Sequence, residues 1–211
     1  MAADRDALLA LLRIDLHDED SENERWEDAT LERHIDRAVA EYSLVRPLEQ
    51  KDTLSTTEGS RELDVSGLAD LVRIEAVEYP VGQEPRRYLQ WSLWADTLEM
   101  LIDETPGDSE DVDVYWLSLH EVDGNGSTVP AQDDQLLLAG AAGYAAVEWS
   151  SYATNRANTS GPQAVRDYAA WGELRLGEFR AGLRRLRRVR SARMYTPAQA
   201  EPDQSTVTWQ P

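Results

Sequence analysis

The stretch NERWEDATLERHIDRAVAEYSLV, residues 23–45, predicts the start and the body of an amphipathic helix. Its apolar residues recur at three- and four-residue spacing: Leu31, Ile35, Ala38 and Tyr42. This spacing predicts that one face of the helix is buried. We expect Asp28 to cap the first turn, because its carboxylate can accept backbone N–H bonds. We expect Trp26, just before that cap, to fold back onto the first turn.

Composition indicates a folded protein. The chain has 211 residues, of which 41% are hydrophobic, and it contains seven tryptophans. These values suffice for one sizeable core or two small ones and argue against disorder. The absence of cysteine excludes disulfides and thiolate metal sites. The N-terminal segment MAADRDALLALLRIDL has acids among its apolar residues, which predicts a helix of the mature chain and not a signal peptide.

The charge is strongly acidic. Forty Asp and Glu residues oppose twenty-one basic residues, which gives a net charge of −19, and Lys51 is the one lysine. Such a surface repels nucleic acid and stays hydrated in concentrated salt. Excess acid with scarce lysine is similar to proteins of salt-in halophilic archaea and their viruses. A GC-rich genome would explain the preference for arginine over lysine but not the excess of acid.

The pattern along the chain predicts an α+β fold. Helical periodicity covers residues 5–14 and 28–45, and it returns after residue 131. Between them lie short runs rich in Val, Ile, Tyr and Trp, which predict strands: RELDV, VRIEAVEY, RYLQWSLWA, TLEMLID and VDVYWLSL. We therefore predict a helical bundle from residues 1–50 and 131–190, with a small antiparallel β domain inserted at 51–130 and an extended C-terminal arm at 191–211.

Two long helices are expected after the β domain. The first has an apolar run of twelve residues from Leu136 to Val147, which is shorter than the about 20 residues that span a bilayer. No membrane contact is therefore expected. The second, residues 162–190, would be a rod of about 43 Å, long enough to have neighbours in another subunit. The residues predicted for such a contact are Ala139, Gly140, Gly143, Tyr168, Trp171 and Phe179.

The end of the chain combines a basic cluster with a proline-containing tail. The cluster RAGLRRLRRVRSAR has seven arginines and no acid. The simplest interpretation is a solvent-exposed helix C-terminus, which basic side chains stabilise. The alternatives are docking on an anionic partner surface and binding of nucleic acid. The tail carries apolar and aromatic residues, which favour a docking arm over a free end. The predicted docking residues are Arg184, Arg185, Arg187, Arg188, Arg190, Arg193, Met194, Tyr195, Val207 and Trp209.

No catalytic, cofactor or metal motif is present. His17, His34 and His120 are far apart and lack ligand spacing. The acidic linker at 18–24 lacks the glycine and the final glutamate of a calcium loop, so a solvated linker is preferred to a weak cation site. The tryptophans at positions 91, 94 and 116 are interpreted as the core of the β domain and not as sugar-stacking residues. No enzyme activity, cofactor or metal is therefore expected.

Four stretches carry a resemblance to a known family: RWEDATLERHIDRAVAEYS, DLVRIEAVEYPVG, LLLAGAAGYAAVEWSSYATNRAN and RDYAAWGELRLGEFRAGLRRL. In residue pattern and in the order of their elements they resemble the head-to-tail adaptor (connector) proteins of long-tailed phages and viruses, over about residues 5–187. With the acidic composition, the resemblance points to a haloarchaeal tailed virus. The inserted β domain is larger than in the minimal, all-helical adaptors of this family.

The resemblance implies a structural virion protein. Members form a ring, commonly of twelve copies, below the portal protein. Their C-terminal arm reaches the portal, and the opposite face of the ring binds the next connector or tail-completion protein. Genomic DNA would pass through the lumen without specific binding, including during ejection. The expected location is the virion neck, after assembly from the host cytoplasm. Two alternatives stay open: a carboxylate-dependent hydrolase of a halophile, and a nucleic-acid-binding protein that uses the arginine cluster.

Overall fold

The computed structural model describes residues 3–154 and 161–186. Over these residues the chain forms four α-helices, nine β-strands and one short 3-10 helix. The helices are α1 Arg5–Leu16, α2 Asp28–Val45, α3 Asp134–Thr154 and α4 Gly161–Leu186, with the 3-10 helix at Ala131–Asp133. The strands are β1 Leu48–Ser55, β2 Glu62–Asp64, β3 Leu71–Glu78, β4 Tyr88–Leu89, β5 Trp91–Trp94, β6 Thr97–Met100, β7 Asp111–Ser118, β8 Val122–Asp123 and β9 Gly126–Ser127.

Helix α1 has a well-defined cap at each end. The carboxylate of Asp4 accepts the backbone N–H of Ala7 at 2.9 Å, which satisfies a donor of the first turn. At the other end His17 adopts the left-handed conformation, with φ of 53°, and its N–H reaches the last carbonyl groups of the helix. The inner face of α1 is formed by leucines that are almost fully buried: Leu8, Leu12 and Leu16.

Helix α2 occupies the predicted range, but Asp28 is not its cap. The capping position is Glu27, and its side chain makes no capping hydrogen bond. The carboxylate of Asp28 instead accepts a hydrogen bond from Arg13, at 2.6 Å. The prediction of an Asp28 cap was therefore wrong, because a guanidinium group from α1 is available to this carboxylate.

The helices share one core. Helix α3 packs against α1, α2 and α4, and its central residues are buried on every side, as expected for an almost continuously apolar helix. The largest side chains at the centre of the shared core include Tyr42 and Phe179, both 0% exposed. The predicted buried face of α2 is confirmed, since Leu31, Ile35 and Ala38 also lie in this core.

The strands form three small sheets. Their orders are β1-β7-β3-β4, β2-β6-β5 and β8-β9, and the pairs β3–β4, β2–β6, β5–β6 and β8–β9 are antiparallel. All five predicted strand runs form strands. Strand β1 was not predicted, because most of its residues are exposed and it lies at the edge of its sheet, so it lacks the apolar alternation of a half-buried strand.

The described chain divides into two compact units. The first comprises residues 3–51, 67–75, 115–154 and 161–186, and the second comprises residues 52–66 and 76–114. The mixed α+β fold class is confirmed. The insertion boundaries at residues 51 and 130 remain a prediction, and the predicted C-terminal arm at 191–211 lies outside the described residues.

Candidate assembly surfaces

The acidic linker between α1 and α2 is held by a buried carboxylate. One oxygen of Asp18 accepts the backbone N–H of Arg25 at 2.6 Å, and the other accepts the guanidinium group of Arg13 at 2.8 Å. Arg13 also donates to the carbonyl oxygen of Trp26 at 3.1 Å. The linker thus fixes the position of Trp26. Over residues 3–154 and 161–186, no group of His, Asp and Glu side chains is arranged to hold a metal ion.

An aromatic cluster joins the start of α2 to α3 and α4. It consists of Trp26, Trp149, Tyr168 and Trp171, with Arg25 beside them. The Tyr168 ring centroid lies 5.3 Å from that of Trp149 and 5.6 Å from that of Trp171. The Arg25 guanidinium carbon lies 4.8 Å from the Trp149 centroid, within the range of a cation–π contact. Burial raises the pKa of Tyr168 to about 12, so this phenol stays neutral at physiological pH.

The residues predicted for a contact between subunits contact other residues of their own chain. A Cβ at Gly140 would lie 3.0 Å from Phe179, and a Cβ at Gly143 would lie 2.7 Å from the Leu176 side chain. Ala139 is 5% exposed and belongs to the same core. Tyr168 and Trp171 are half-buried. These two keep part of their surface exposed, whereas the small residues of α3 serve the packing of α4 within the chain.

Polar side chains line the outside of the α2–α3 contact. Arg33 donates to both carboxylate oxygens of Glu148 at 2.7 Å. The guanidinium carbon of Arg37 lies 3.8 Å from the ring centroid of Tyr144, and the Tyr144 hydroxyl donates to Glu41 at 2.5 Å. These contacts give the two helices a fixed register.

Two of the three histidines are buried. His34 is 1% exposed, and its Nε2 lies 3.5 Å from a carboxylate oxygen of Glu148. The ring nitrogens of His120 contact the Thr128 hydroxyl at 3.0 Å and the Arg46 carbonyl oxygen at 2.9 Å. Burial lowers the pKa of both His34 and His120. His17 is exposed at the end of α1. The ring nitrogens of His34 have no hydrogen-bond partner within the described residues.

Two acids at the start of α3 bind groups of their own chain. Asp133 is 8% exposed and accepts the Tyr42 hydroxyl at 2.7 Å and the Arg46 guanidinium at 2.8 Å. One carboxylate oxygen of Asp134 accepts the backbone N–H of Ala3 at 3.2 Å, and the other is buried without a hydrogen-bond partner. Burial raises the pKa of Asp134. A general acid would require a carboxyl group that faces a substrate, whereas these carboxylates fasten the start of α3 to the rest of the unit.

The tryptophans of the β region differ in environment. Trp116 is 6% exposed and belongs to the buried residues, as predicted. Trp91 is half-buried. Trp94 is 86% exposed and ends strand β5 directly before the turn to β6. The prediction that Trp94 is a core residue was therefore wrong: it pairs with Thr97 across the hairpin, where the sheet ends and little remains to cover it.

The predicted docking cluster is described only in part. Arg184 and Arg185 are exposed in the last turn of α4. The other members, Arg187, Arg188, Arg190, Arg193, Met194, Tyr195, Val207 and Trp209, lie outside the described residues. Within the part that the structure describes, no helix is both long enough and apolar enough to cross a membrane.

The outer face of α1 is apolar, which was not predicted. Ala7, Ala10, Leu11 and Ile14 are all exposed, although they are apolar. Their three- and four-residue spacing would have revealed a second apolar stripe beside the buried leucines.

Comparison with solved structures shows a distant likeness to a chain of a phage-like particle. No family model matches the chain, and no curated protein matches it. A chain from the solved structure described as the neck of an empty GTA particle, computed with C6 symmetry, is 18% identical. The match covers 77% of this chain and 87% of that chain, with a TM-score of 0.27. At this TM-score the likeness to a neck protein carries no argument about fold or function.

Proposed function

We propose that this chain is a structural virion protein, a head-to-tail adaptor that forms a ring below a portal protein. The ring, of twelve copies in the adaptors that the sequence resembles, would link the capsid to the tail and form part of the DNA channel. The next connector protein would bind its other face. The docking residues named above remain part of this proposal, as do Tyr168 and Trp171 of the predicted ring contact. Ala139, Gly140, Gly143 and Phe179 are buried inside the subunit and are not proposed for the ring contact.

The observation that carries the proposal is the place of the resembling sequence stretches. Residues 25–43, 136–154 and 166–186 contain most of α2, α3 and α4, respectively. These three helices build one closely packed core. The packing uses glycines at close approach, such as Gly140 against Ala38 and Phe179. A rigid helical unit of this kind suits a ring subunit, which must present fixed faces to its neighbours.

The acidic composition supports a passive channel. With a net charge of −19, the protein repels a DNA duplex, so the duplex would pass without adhering. The same composition suits work in concentrated salt. The hydrolase alternative has no specific support, because the buried acids Asp18 and Asp133 are engaged with arginines of the same unit. The nucleic-acid alternative rests on the arginine cluster alone.

The test is the mass of the assembled particle. Light scattering in concentrated salt, with the purified portal of the same virus, should give a closed oligomer bound to the portal ring. Electron microscopy of that complex should show one ring stacked on the other. A strict monomer, or a single copy bound to each portal ring, would refute the proposal.

A further inference from the structure

Helix α1 carries a second apolar stripe on its outer face. The stripe is Ala7, Ala10, Leu11 and Ile14, at spacings of three, one and three residues. All four residues are exposed, with Leu11 at 38% and Ile14 at 49%. The inner leucines of α1 already fill the core. The outer stripe is therefore not needed for packing inside the subunit.

Helix α4 carries a matching stripe on the side away from its core residues. It is formed by Ala170, Leu174, Gly177 and Ala181, at spacings of four, three and four residues. Leu174 is 62% exposed, and Ala170 and Gly177 are exposed as well. Alternating three- and four-residue spacing is the pattern by which two helices interlock side chains along a shared seam.

Gly177 distinguishes this stripe from ordinary surface. A Cβ at Gly140, Gly143, Gly172 or Gly182 would lie within 3.0 Å of a neighbouring atom of the same chain, whereas a Cβ at Gly177 would meet nothing within 4 Å. Glycine inside a helix lowers helix stability relative to alanine. The packing of the subunit accounts for these four helical glycines but not for Gly177. A helix that approaches closely from outside would account for it.

The charges at the C-terminal ends of the two stripes are complementary. The loop that follows α1 exposes Glu19, Asp20 and Glu22. The α4 stripe has exposed Glu173 and Glu178 beside its middle and leads toward exposed Arg180, Arg184 and Arg185 at its end. Pairing α4 with a second α4 would leave the α1 stripe uncovered in every copy. Pairing α4 with α1 covers both stripes and brings arginines near acids.

We propose that the outer face of α4 of one copy packs on the outer face of α1 of a second copy. The contact is heterologous, because the two faces differ, and a heterologous contact that closes generates a ring. It thus deepens the ring part of the proposed function by naming the surfaces that join neighbouring subunits. Gly177 provides the point of closest approach, and Ile14 and Leu174 provide apolar anchors.

Disulfide cross-linking tests the contact, because the natural chain has no cysteine. Ile14→Cys and Leu174→Cys are prepared as separate proteins, mixed in concentrated salt and mildly oxidised. We expect a cross-linked dimer in the mixture, and little in either protein alone. Ser66→Cys, exposed in the loop after β2, mixed with each variant gives the background from random collision.

A glycine variant supplies an independent readout. Gly177→Ala should raise the melting temperature of the separate subunit, because alanine favours the helix. The same change should weaken assembly, shifting the concentration midpoint of oligomer formation by about tenfold, since the added methyl group keeps the helices apart. A variant that is more stable and assembles normally would contradict the role of Gly177.

The outcomes separate the inference from the proposed function. A closed oligomer without the mixed cross-link, or with cross-links only between identical variants, overturns the α1–α4 contact and leaves the ring in place. The mixed cross-link in an oligomer that never closes supports the contact and refutes the ring. A strict monomer with no mixed cross-link above the Ser66→Cys background overturns both.

Discussion

Single tryptophans in the β region have opposite expected effects on stability. Replacing Trp116 by Ala should lower the free energy of unfolding by about 3–5 kcal/mol, because this side chain is 6% exposed. Replacing Trp94 by Ala should change it by less than about 0.5 kcal/mol, because this side chain is 86% exposed. Urea denaturation followed by circular dichroism measures both. Equal losses in the two variants would contradict the burial described here.

The buried histidines predict how stability depends on pH. Burial lowers the pKa of His34 and His120 below the ordinary value of 6.5, so the unfolded chain binds protons at a pH where the folded chain does not. Their contribution to stability is complete above about pH 6.5 and is lost as the pH falls from there through the folded-state pKa values. Urea denaturation from pH 8 to about pH 5 should show this decline.

Histidine variants assign that decline to its source. Replacement of His34 by Gln should flatten the dependence of stability on pH, whereas His17→Gln, at an exposed position, should leave its slope unchanged. A slope that persists after both buried histidines are replaced would assign the pH dependence to carboxylates instead.

At the residue scale, helical periodicity predicted which side chains are buried, whereas side-chain chemistry did not predict which partners they bind. The buried face of α2 followed from Leu31, Ile35 and Ala38, because helical spacing brings them to one side whatever they contact. The role of Asp28 depended on Arg13, fifteen residues earlier, and local spacing carries no information about such a partner. The exposure of Trp94 likewise depends on where its sheet ends, which the alternation of residues in β5 does not show.

Among the elements, the contact between α3 and α4 depends on glycine. A Cβ at Gly143 would lie 2.7 Å from Leu176 and 3.0 Å from the carbonyl oxygen of Gly172. The leucine can move, but the backbone carbonyl cannot without separating the helices. Gly143→Ala should therefore destabilise the protein by about 1–3 kcal/mol, measured by thermal unfolding. A gain in stability, as expected for alanine on an open helix face, would show that the helices separate easily.

The positions of helices and strands were predicted from the sequence better than the contacts between them. Helices α1 and α2 and the five strand runs follow from apolar periodicity within each segment. Gly140 and Gly143 were predicted to contact another subunit, but the helices that approach them closely, α4 and for Gly140 also α2, belong to the same chain. Small residues indicate only that something packs closely, and the identity of the neighbour is a tertiary property. Strand β1 was not predicted, because most of its residues are exposed and therefore do not alternate between apolar and polar.

For the whole molecule, the salt concentration determines whether charged or apolar contacts can hold an assembly together. At ionic strengths above about 1 M the Debye length is about 3 Å or less, so attraction between exposed charges of two partners is largely screened. Burial of apolar surface is weakened far less and is strengthened by kosmotropic salts. If this protein, with its net charge of −19, works in such salt, it must join its partners mainly through apolar surfaces, with charges limited to close hydrogen bonds.

In concentrated salt, attachment to the proposed portal should depend on the apolar residues of the C-terminal tail. The arginines from 184 to 193 could orient the approach, but screened charges alone would not hold the protein, so Tyr195, Val207 and Trp209 should supply the apolar contacts. Deleting residues 196–211 should abolish binding to the portal in co-sedimentation and leave the melting temperature of the helical unit unchanged. Trp209→Ala should weaken binding more than any single arginine-to-alanine change. Normal attachment of the truncated protein, or loss of attachment in the arginine variants with none in Trp209→Ala, would make the arginine cluster the true contact.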